Sequence, residues 1–326
     1  MAPSLPTAPS IPTAPATSSA PAPSSGRLPP EERLVASLIT LLEAGTTPWR
    51  RPWDASAGGH HVHLLSGRAY RGSNPVLLTL GMHLRGSSLP WWCGFAEARS
   101  RGLHPRRGSK AVHVLQPVPL PRPQDPLPPA DPDAPNTPNP ARPVRFRPVA
   151  VFNAADLEGP ALPELIAIRR AAAGRGSRSE PERLAAAEEA LRAWPVPVCH
   201  GGERAYYQPG SDRIHLPERA AFHSSAALYA TWAHEAIHST GHPSRLARNL
   251  SGSLDGGEAE RRAYAREELV AELGAVLLGD RLEIGSEVGH HAAYLSHWVA
   301  MLQESPQLLL QVLGDARRAV DQIVPE

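Results

Sequence analysis

Apolar side chains recur at helical spacing from Glu31 to Ala44, where Leu34, Val35, Leu38, Ile39, Leu41 and Leu42 share a face and Gly45 follows as a stop. The pattern then shortens. His61–Leu65, Arg68–Tyr70, Trp91–Phe95, Ala111–Leu115 and Arg147–Phe152 read as short strands, with a helix over Pro75–Leu84 among them. From Leu162 to Trp194 the chain is helical and charged, broken at Gly174–Ser179. Arg204–Gln208 and Asp212–Leu216 flank the turn sequence Pro209-Gly210-Ser211 and so predict a hairpin. Long helices are predicted at Ser225–Ser239, Arg262–Gly279, His290–Gln303 and Gln307–Val324. The fold class this gives is α+β: a small α+β half followed by a mostly helical half that opens with a small sheet.

Composition divides the chain further. Residues 1–28 are Pro, Ala, Ser and Thr with almost no charge, too polar and too proline-rich to offset the entropy of ordering, and read as a disordered tail. A second Pro-rich stretch, 116–143, reads as a long loop between two strands. The resulting domains are 29–160 and 196–326, joined by a helical connector over 161–195. Net charge is only +1, but ten Arg or Lys face two acids, Asp54 and Glu97, between Thr47 and Leu115, which points to a polyanion partner for the first half. The two cysteines, Cys93 and Cys199, are far apart and suggest a reducing cytoplasm rather than a disulfide framework. No apolar run reaches the 18 residues of a membrane span, and no secretory signal pattern opens the chain.

The chemistry is concentrated in Thr231-Trp-Ala-His-Glu-Ala-Ile-His-Ser-Thr-Gly241. On a helix, His234 and His238 lie four residues apart on one side, where two imidazoles can share a Zn2+. Glu235 projects beside them as the general base of a metallopeptidase. A catalytic zinc needs a third protein ligand and an open position. The second carboxylate-rich helix, Tyr264-Ala-Arg-Glu-Glu-Leu-Val-Ala-Glu-Leu-Gly274, supplies candidates. Glu268 is assigned as third ligand in a thermolysin-like arrangement, with Glu267 as the alternative. Glu272, four residues on, is assigned to accept a hydrogen bond from a ligand imidazole.

In the basic half, Trp49-Arg50-Arg51-Pro52-Trp53 interleaves rings with guanidinium groups, and Arg68, Tyr70, Arg71, Arg106, Arg107 and Lys110, the only lysine, continue the mixture. Cations that follow phosphates and aromatic faces that stack on bases are what single-stranded DNA binding requires. Trp91, Trp92 and Phe95 belong to the same aromatic set, and the opposing reading makes the tryptophans the core of a small domain.

These stretches resemble a known family. Leu42-Glu-Ala-Gly-Thr-Thr-Pro-Trp-Arg-Arg-Pro-Trp53, Ser66-Gly-Arg-Ala-Tyr-Arg-Gly-Ser-Asn74, Arg106-Arg-Gly-Ser-Lys110 and Val151-Phe-Asn153 are similar to the single-stranded-DNA-binding domain of ArdC-type antirestriction proteins. Tyr207-Gln-Pro-Gly-Ser-Asp-Arg-Ile-His-Leu-Pro217, His234 to His242 and Glu267 to Ala275 resemble the zincin-like metallopeptidase domain found with it. The resemblance implies a protein of plasmids, phages or integrated elements that protects entering single-stranded DNA from restriction. It also implies His234 and His238 as zinc ligands, Glu235 as base, and a protein or peptide substrate if the site is active. Two other readings stand beside it: a non-enzymatic DNA-binding decoy with a structural zinc, and a cytosolic zinc protease carrying an unrelated basic domain.

Overall fold

The computed structural model describes residues 30–45, 47, 59–119, 144–174, 178–253, 255–285 and 295–325. The Pro/Ala/Ser tail, the Trp49-Arg50-Arg51-Pro52-Trp53 segment, most of the Pro-rich stretch and His290 lie outside these residues. The chain is mixed helix and sheet, as its hydrophobic pattern predicts.

In the first half, helix α1 (Pro30–Glu43) precedes strand β1 (Val62–His63), helix α2 (Asn74–His83), strand β2 (Trp91–Gly94), the short helix α3 (Phe95–Ser100) and strand β3 (His104–Pro105). Strands β4 (Val112–Pro119) and β5 (Val144–Asn153) follow, then β6 (Leu157–Glu158), which pairs antiparallel with β3. The main sheet has the order β1-β2-β5-β4, with β1 parallel to β2 and the other pairs antiparallel. Strand alternation sends the adjacent Trp91 and Trp92 to opposite faces. Trp92 joins Leu78, Met82, Val112, Val114 and Val151 beneath α2, while Trp91 packs with Leu64, Cys93, Leu103 and Leu157 on the other side. The Trp92 indole N–H donates to His61 Nδ1 at 3.1 Å, and His61 Nε2 meets Thr79 Oγ1 at 2.8 Å, so the buried polar atoms of this core are matched.

Three local features differ from the sequence expectation. Arg68–Tyr70 contributes only an isolated bridge, Val62 to Ala69, because the chain turns at Gly67 and Gly72 on either side. The strand at Trp91 stops at Gly94, whose N–H donates to Glu97 Oε2 at 3.3 Å and turns Phe95 into the start of a helix. Strand β4 runs on through Gln116–Pro119, since Pro117 and Pro119 lie on the sheet edge where a missing N–H costs little.

Helices α4 (Leu162–Gly174) and α5 (Glu180–Ala193) lead to strands β7 (Val198–His200), β8 (Tyr206–Gln208) and β9 (Arg213–Leu216). Strands β8 and β9 form the predicted hairpin, and the unpredicted β7 pairs parallel on the far side of β9, leaving β8 at an edge. Helices α6 (Ser225–Ser239), α7 (Glu258–Leu282), α8 (Leu295–Glu304) and α9 (Leu308–Ile323) complete the chain. One apolar cluster runs through both halves: Val35, Leu38 and Leu42 of α1 and Leu77 and Leu80 of α2 share it with Trp298, Leu302 and Leu313. Polar ties cross the same boundary, with Ser73 Oγ donating to Leu313 O at 3.1 Å and His60 Nδ1 lying 3.2 Å from Asp280 Oδ2. No helix among the described residues is long and apolar enough to cross a membrane.

Candidate metal centre and aromatic face

Helix α6 is started by Ser224, whose Oγ accepts from Ala227 N–H at 3.1 Å. It is buried along most of its length, because Leu228, Trp232, Ala233, Ala236 and Ile237 pack into the shared core. Helix α7 crosses it closely at Gly274, where an added Cβ would come within 2.8 Å of the Ile237 side chain. A residue larger than glycine there would push apart the two helices that carry the histidines and the carboxylates.

That crossing gathers His234, His238 and Glu268, whose ligand atoms lie within 4.8 Å of one another. His234 Nε2 is 3.2 Å from His238 Nε2. Glu268 Oε1 is 3.5 Å from His238 Nε2, and Oε2 is 3.7 Å from His234 Nε2. A tetrahedral ion with bonds of about 2.0–2.1 Å has edges of roughly 3.3 Å, so these separations suit one small divalent cation. The donor set fits as well: two imidazole nitrogens aimed at each other this closely need a proton or a cation between them.

Glu267 lies on the opposite side of His238. Its Oε1 is 3.2 Å from His238 Nδ1, and Arg248 holds the same carboxylate through Nη2 at 2.7 Å and Nε at 2.9 Å. Arg248 also donates to Ile237 O at 2.8 Å and Thr240 Oγ1 at 2.7 Å, fastening the end of α6. Glu267 makes a contact with a ligand imidazole of the kind the sequence reading expected of Glu272, and of the two adjacent carboxylates it is Glu268 that faces both Nε2 atoms. Glu272 is fully buried one turn further along α7. Arg248 stands in a loop with no motif around it, and no sequence signal marks it.

Burial favours neutral His238, yet the Glu267 hydrogen bond and the charges of Glu268 and Glu235 outweigh it and raise the imidazole to about 9. Burial also lifts the Glu235 carboxyl above the usual carboxylate range, against the pull of His234 and His238 and of a backbone hydrogen bond from Tyr207 on β8. Glu267 stays low, because Arg248 and His238 overcome its burial. The group opens into a cavity of about 300 Å3 whose wall includes Tyr206, Tyr207, Asn249 and Tyr264. His242, next in sequence, turns to Ser244 Oγ at 2.7 Å and lines none of it.

In the first half, Arg68, Arg71, Arg106, Arg107 and Lys110 are all exposed. Tyr70 is not presented in the same way: its ring packs against the core under α2, and burial raises its hydroxyl pKa. Trp91 and Trp92 are 1% and 0% exposed and belong wholly to the core. The exposed rings on and beside the sheet are Phe95, which the sequence reading placed in the aromatic set, and Phe146, which it passed over. A second triad, His63, Cys93 and Glu97, also has its polar atoms close together. There His63 Nδ1 accepts from Ser66 N–H at 3.2 Å, which leaves Nε2 to donate to Glu97 Oε2 at 2.9 Å.

This architecture, two imidazoles and a carboxylate on crossed helices beside a small edge-stranded sheet, is that of the zincin-like metallopeptidases, and a model of that domain matches residues 185–313. The model of the N-terminal domain of the anti-restriction factor ArdC matches residues 30–128. Among solved structures, the metal-free crystal structure of the antirestriction protein ArdC from plasmid R388 is 31% identical, with a TM-score of 0.62 over 90% of this chain and 96% of that one. Its Mn(II)-bound form is 30% identical with the same TM-score. The chain belongs to the ArdC-type antirestriction family. It is also 30% identical to the uncharacterized protein y4eC of Sinorhizobium fredii over 89% of this chain and 90% of that protein. DNA primase TraC of Escherichia coli is 34% identical over 300 residues, which is 89% of this chain but only 26% of the primase.

Proposed function

We propose that this protein is an antirestriction-type factor of mobile elements that binds single-stranded DNA and carries a zinc-dependent peptidase site. The observation that carries the peptidase reading is the convergence of His234, His238 and Glu268 at cation-binding separations, with Glu235 on the same cavity wall. His234, His238 and Glu268 would hold the ion. Two nitrogen donors with one carboxylate suit Zn2+ better than Mn2+, which favours oxygen-rich sites, although the R388 relative has been crystallised with Mn(II). Bound there, Zn2+ would supply Lewis acidity toward a peptide carbonyl and toward water near neutral pH.

Glu235 is the proton carrier. Its raised pKa lets it take a proton from water and return it to the leaving amine, while the Tyr207 main chain holds the carboxylate in place. Glu267 and Arg248 fix the tilt and tautomer of His238. In the division of labour we propose, residues 29–160 hold DNA and 196–326 form the peptidase-like unit, with 161–195 connecting them. Trp49, Arg50, Arg51, Trp53, Arg68, Tyr70, Arg71, Arg106, Arg107 and Lys110 are the sequence-derived candidates for DNA contact. The exposed cations among them can follow phosphates, although Arg106 also lies 4.0 Å from Glu158 Oε2. The two unpaired cysteines suit a reducing cytoplasm.

Metal analysis of the purified protein, paired with cleavage of a denatured-protein substrate, tests the site. Stoichiometric zinc with cleavage that stops in Glu235→Gln is the expected result. Zinc without cleavage of any substrate would leave the non-enzymatic decoy as the better reading.

A further inference from the structure

On the side of the β1-β2-β5-β4 sheet away from α2, the cluster around Leu64, Trp91 and Leu157 covers the β1-β2 end, and Phe152 packs against it. Alternation along β5 puts Val149 and Val151 against the core under α2, and Phe146, Pro148, Ala150 and Phe152 on the opposite side. Phe146 is 48% exposed, and Pro148 and Ala150 are exposed beside it. Phe95, just past β2, is also 48% exposed. Its ring centre lies 6.5 Å from that of Phe152, and the Arg99 guanidinium stands 5.9 Å above it. Phe146 and Phe152 are six residues apart, about 20 Å along an extended strand.

Two half-exposed phenylalanines on one sheet face forgo burial that folding would otherwise favour, which marks the face as a contact surface. Charge selects the occupant. The outward positions of β5 carry no carboxylate. The nearby acids are engaged: Glu97 meets His63 at 2.9 Å, and Glu158 meets His104 at 3.1 Å. The turn that leads into β4 offers Arg106, Arg107 and Lys110 to solvent. Open rings on a four-stranded sheet, rimmed by cations, meet the needs of unpaired bases on a phosphate chain.

We infer that the open part of this face is the base-stacking platform for single-stranded nucleic acid, with Phe95 and Phe146 as ring faces, Phe152 packed beside Phe95 as its support, and Arg99 as a stacking cation. The inference rests on the single-stranded-DNA reading above and replaces the buried tryptophans as the stacking residues.

Fluorescence anisotropy of a labelled oligothymidylate with the full chain provides the test. Phe95→Ala and Phe146→Ala should each weaken binding about tenfold. The salt dependence should stay unchanged, because no phosphate contact is lost. Phe146→Trp should restore affinity, and an abasic oligonucleotide should bind wild type and both Ala variants equally. Melting curves establish that the variants are folded. A folded double variant that binds as wild type overturns the platform and leaves DNA binding intact. So does a change of oligomeric state, seen by gel filtration, in place of a change in affinity, because it would make a second copy the occupant. Absence of wild-type binding at low salt instead overturns the underlying DNA reading.

Discussion

The pocket between α6 and α7 and the outer face of the β1-β2-β5-β4 sheet are built on opposite terms. In the pocket, Glu267 and Arg248 are 7% and 6% exposed as side chains, and each is tied to more than one partner. On the sheet face, Phe95 and Phe146 stand half in water. The difference tracks what each must recognise. A cation tolerates displacements of only a few tenths of an ångström, so its ligands are clamped by a second set of side chains. Bases stack on any accessible ring and vary in sequence, so a loose aromatic face suffices.

The contrast can be broken first at the metal. His234→Ala should take bound metal from stoichiometric to background, as read by elemental analysis, and leave oligonucleotide affinity unchanged. A joint loss of both would mean the regions are not separable. Glu235→Gln should keep the metal while lowering any peptide hydrolysis about 100- to 10,000-fold, which single-turnover assays would show. Retained turnover would remove Glu235 from the chemistry. Arg248→Met should weaken metal binding about 10- to 100-fold by calorimetry, because Glu267 loses its anchor and His238 its fixed orientation. An unchanged affinity would show that the pocket is less clamped than its geometry implies.

The smallest expected effect concerns acid. Glu188 joins α5 to the metal helix through the Tyr229 hydroxyl at 2.5 Å, and also to Arg219 and Arg192. The Tyr229 hydrogen bond and these arginines hold its carboxyl at about 2, below the ordinary 4.5. A lowered folded-state pKa contributes stability that is complete above pH 4.5 and disappears as pH falls toward 2. Glu188→Gln should therefore flatten the acid limb of a denaturation profile and melt earlier at neutral pH. Coincident acid limbs would assign the lost stability elsewhere.

The pocket was the more legible of the two regions. Helical spacing is local, so His234 and His238 could be placed on one face from the sequence, and α6 runs over the predicted Ser225–Ser239. Its supporting contacts were less visible. Glu267, Glu268 and Glu272 are close in sequence, and which of them meets a histidine depends on how α7 crosses α6 at Gly274, a tertiary fact. Arg248 reaches Glu267 from a loop, where periodicity says nothing. The sheet was harder still. Trp91, Trp92 and Tyr70 carry the chemistry of stacking residues, but strand alternation combined with cover on both sides of β2 buries the tryptophans. Arg145-Phe-Arg-Pro-Val-Ala-Val-Phe152 did hold the phase that matters, with both phenylalanines on even positions, yet which phase faces water was set by α2. Strand β7 was missed because three residues pairing parallel with a distant strand leave almost no local pattern.

Helix α1 packs on α8, and α1 and α2 place leucines in the same apolar cluster as α9. Severing the chain at its middle would strip an oily flank from each piece, so neither half is a cassette to be moved alone. Scanning calorimetry should record one endotherm for the whole, and a cation bound at one end should raise the melting temperature of a sheet it never touches.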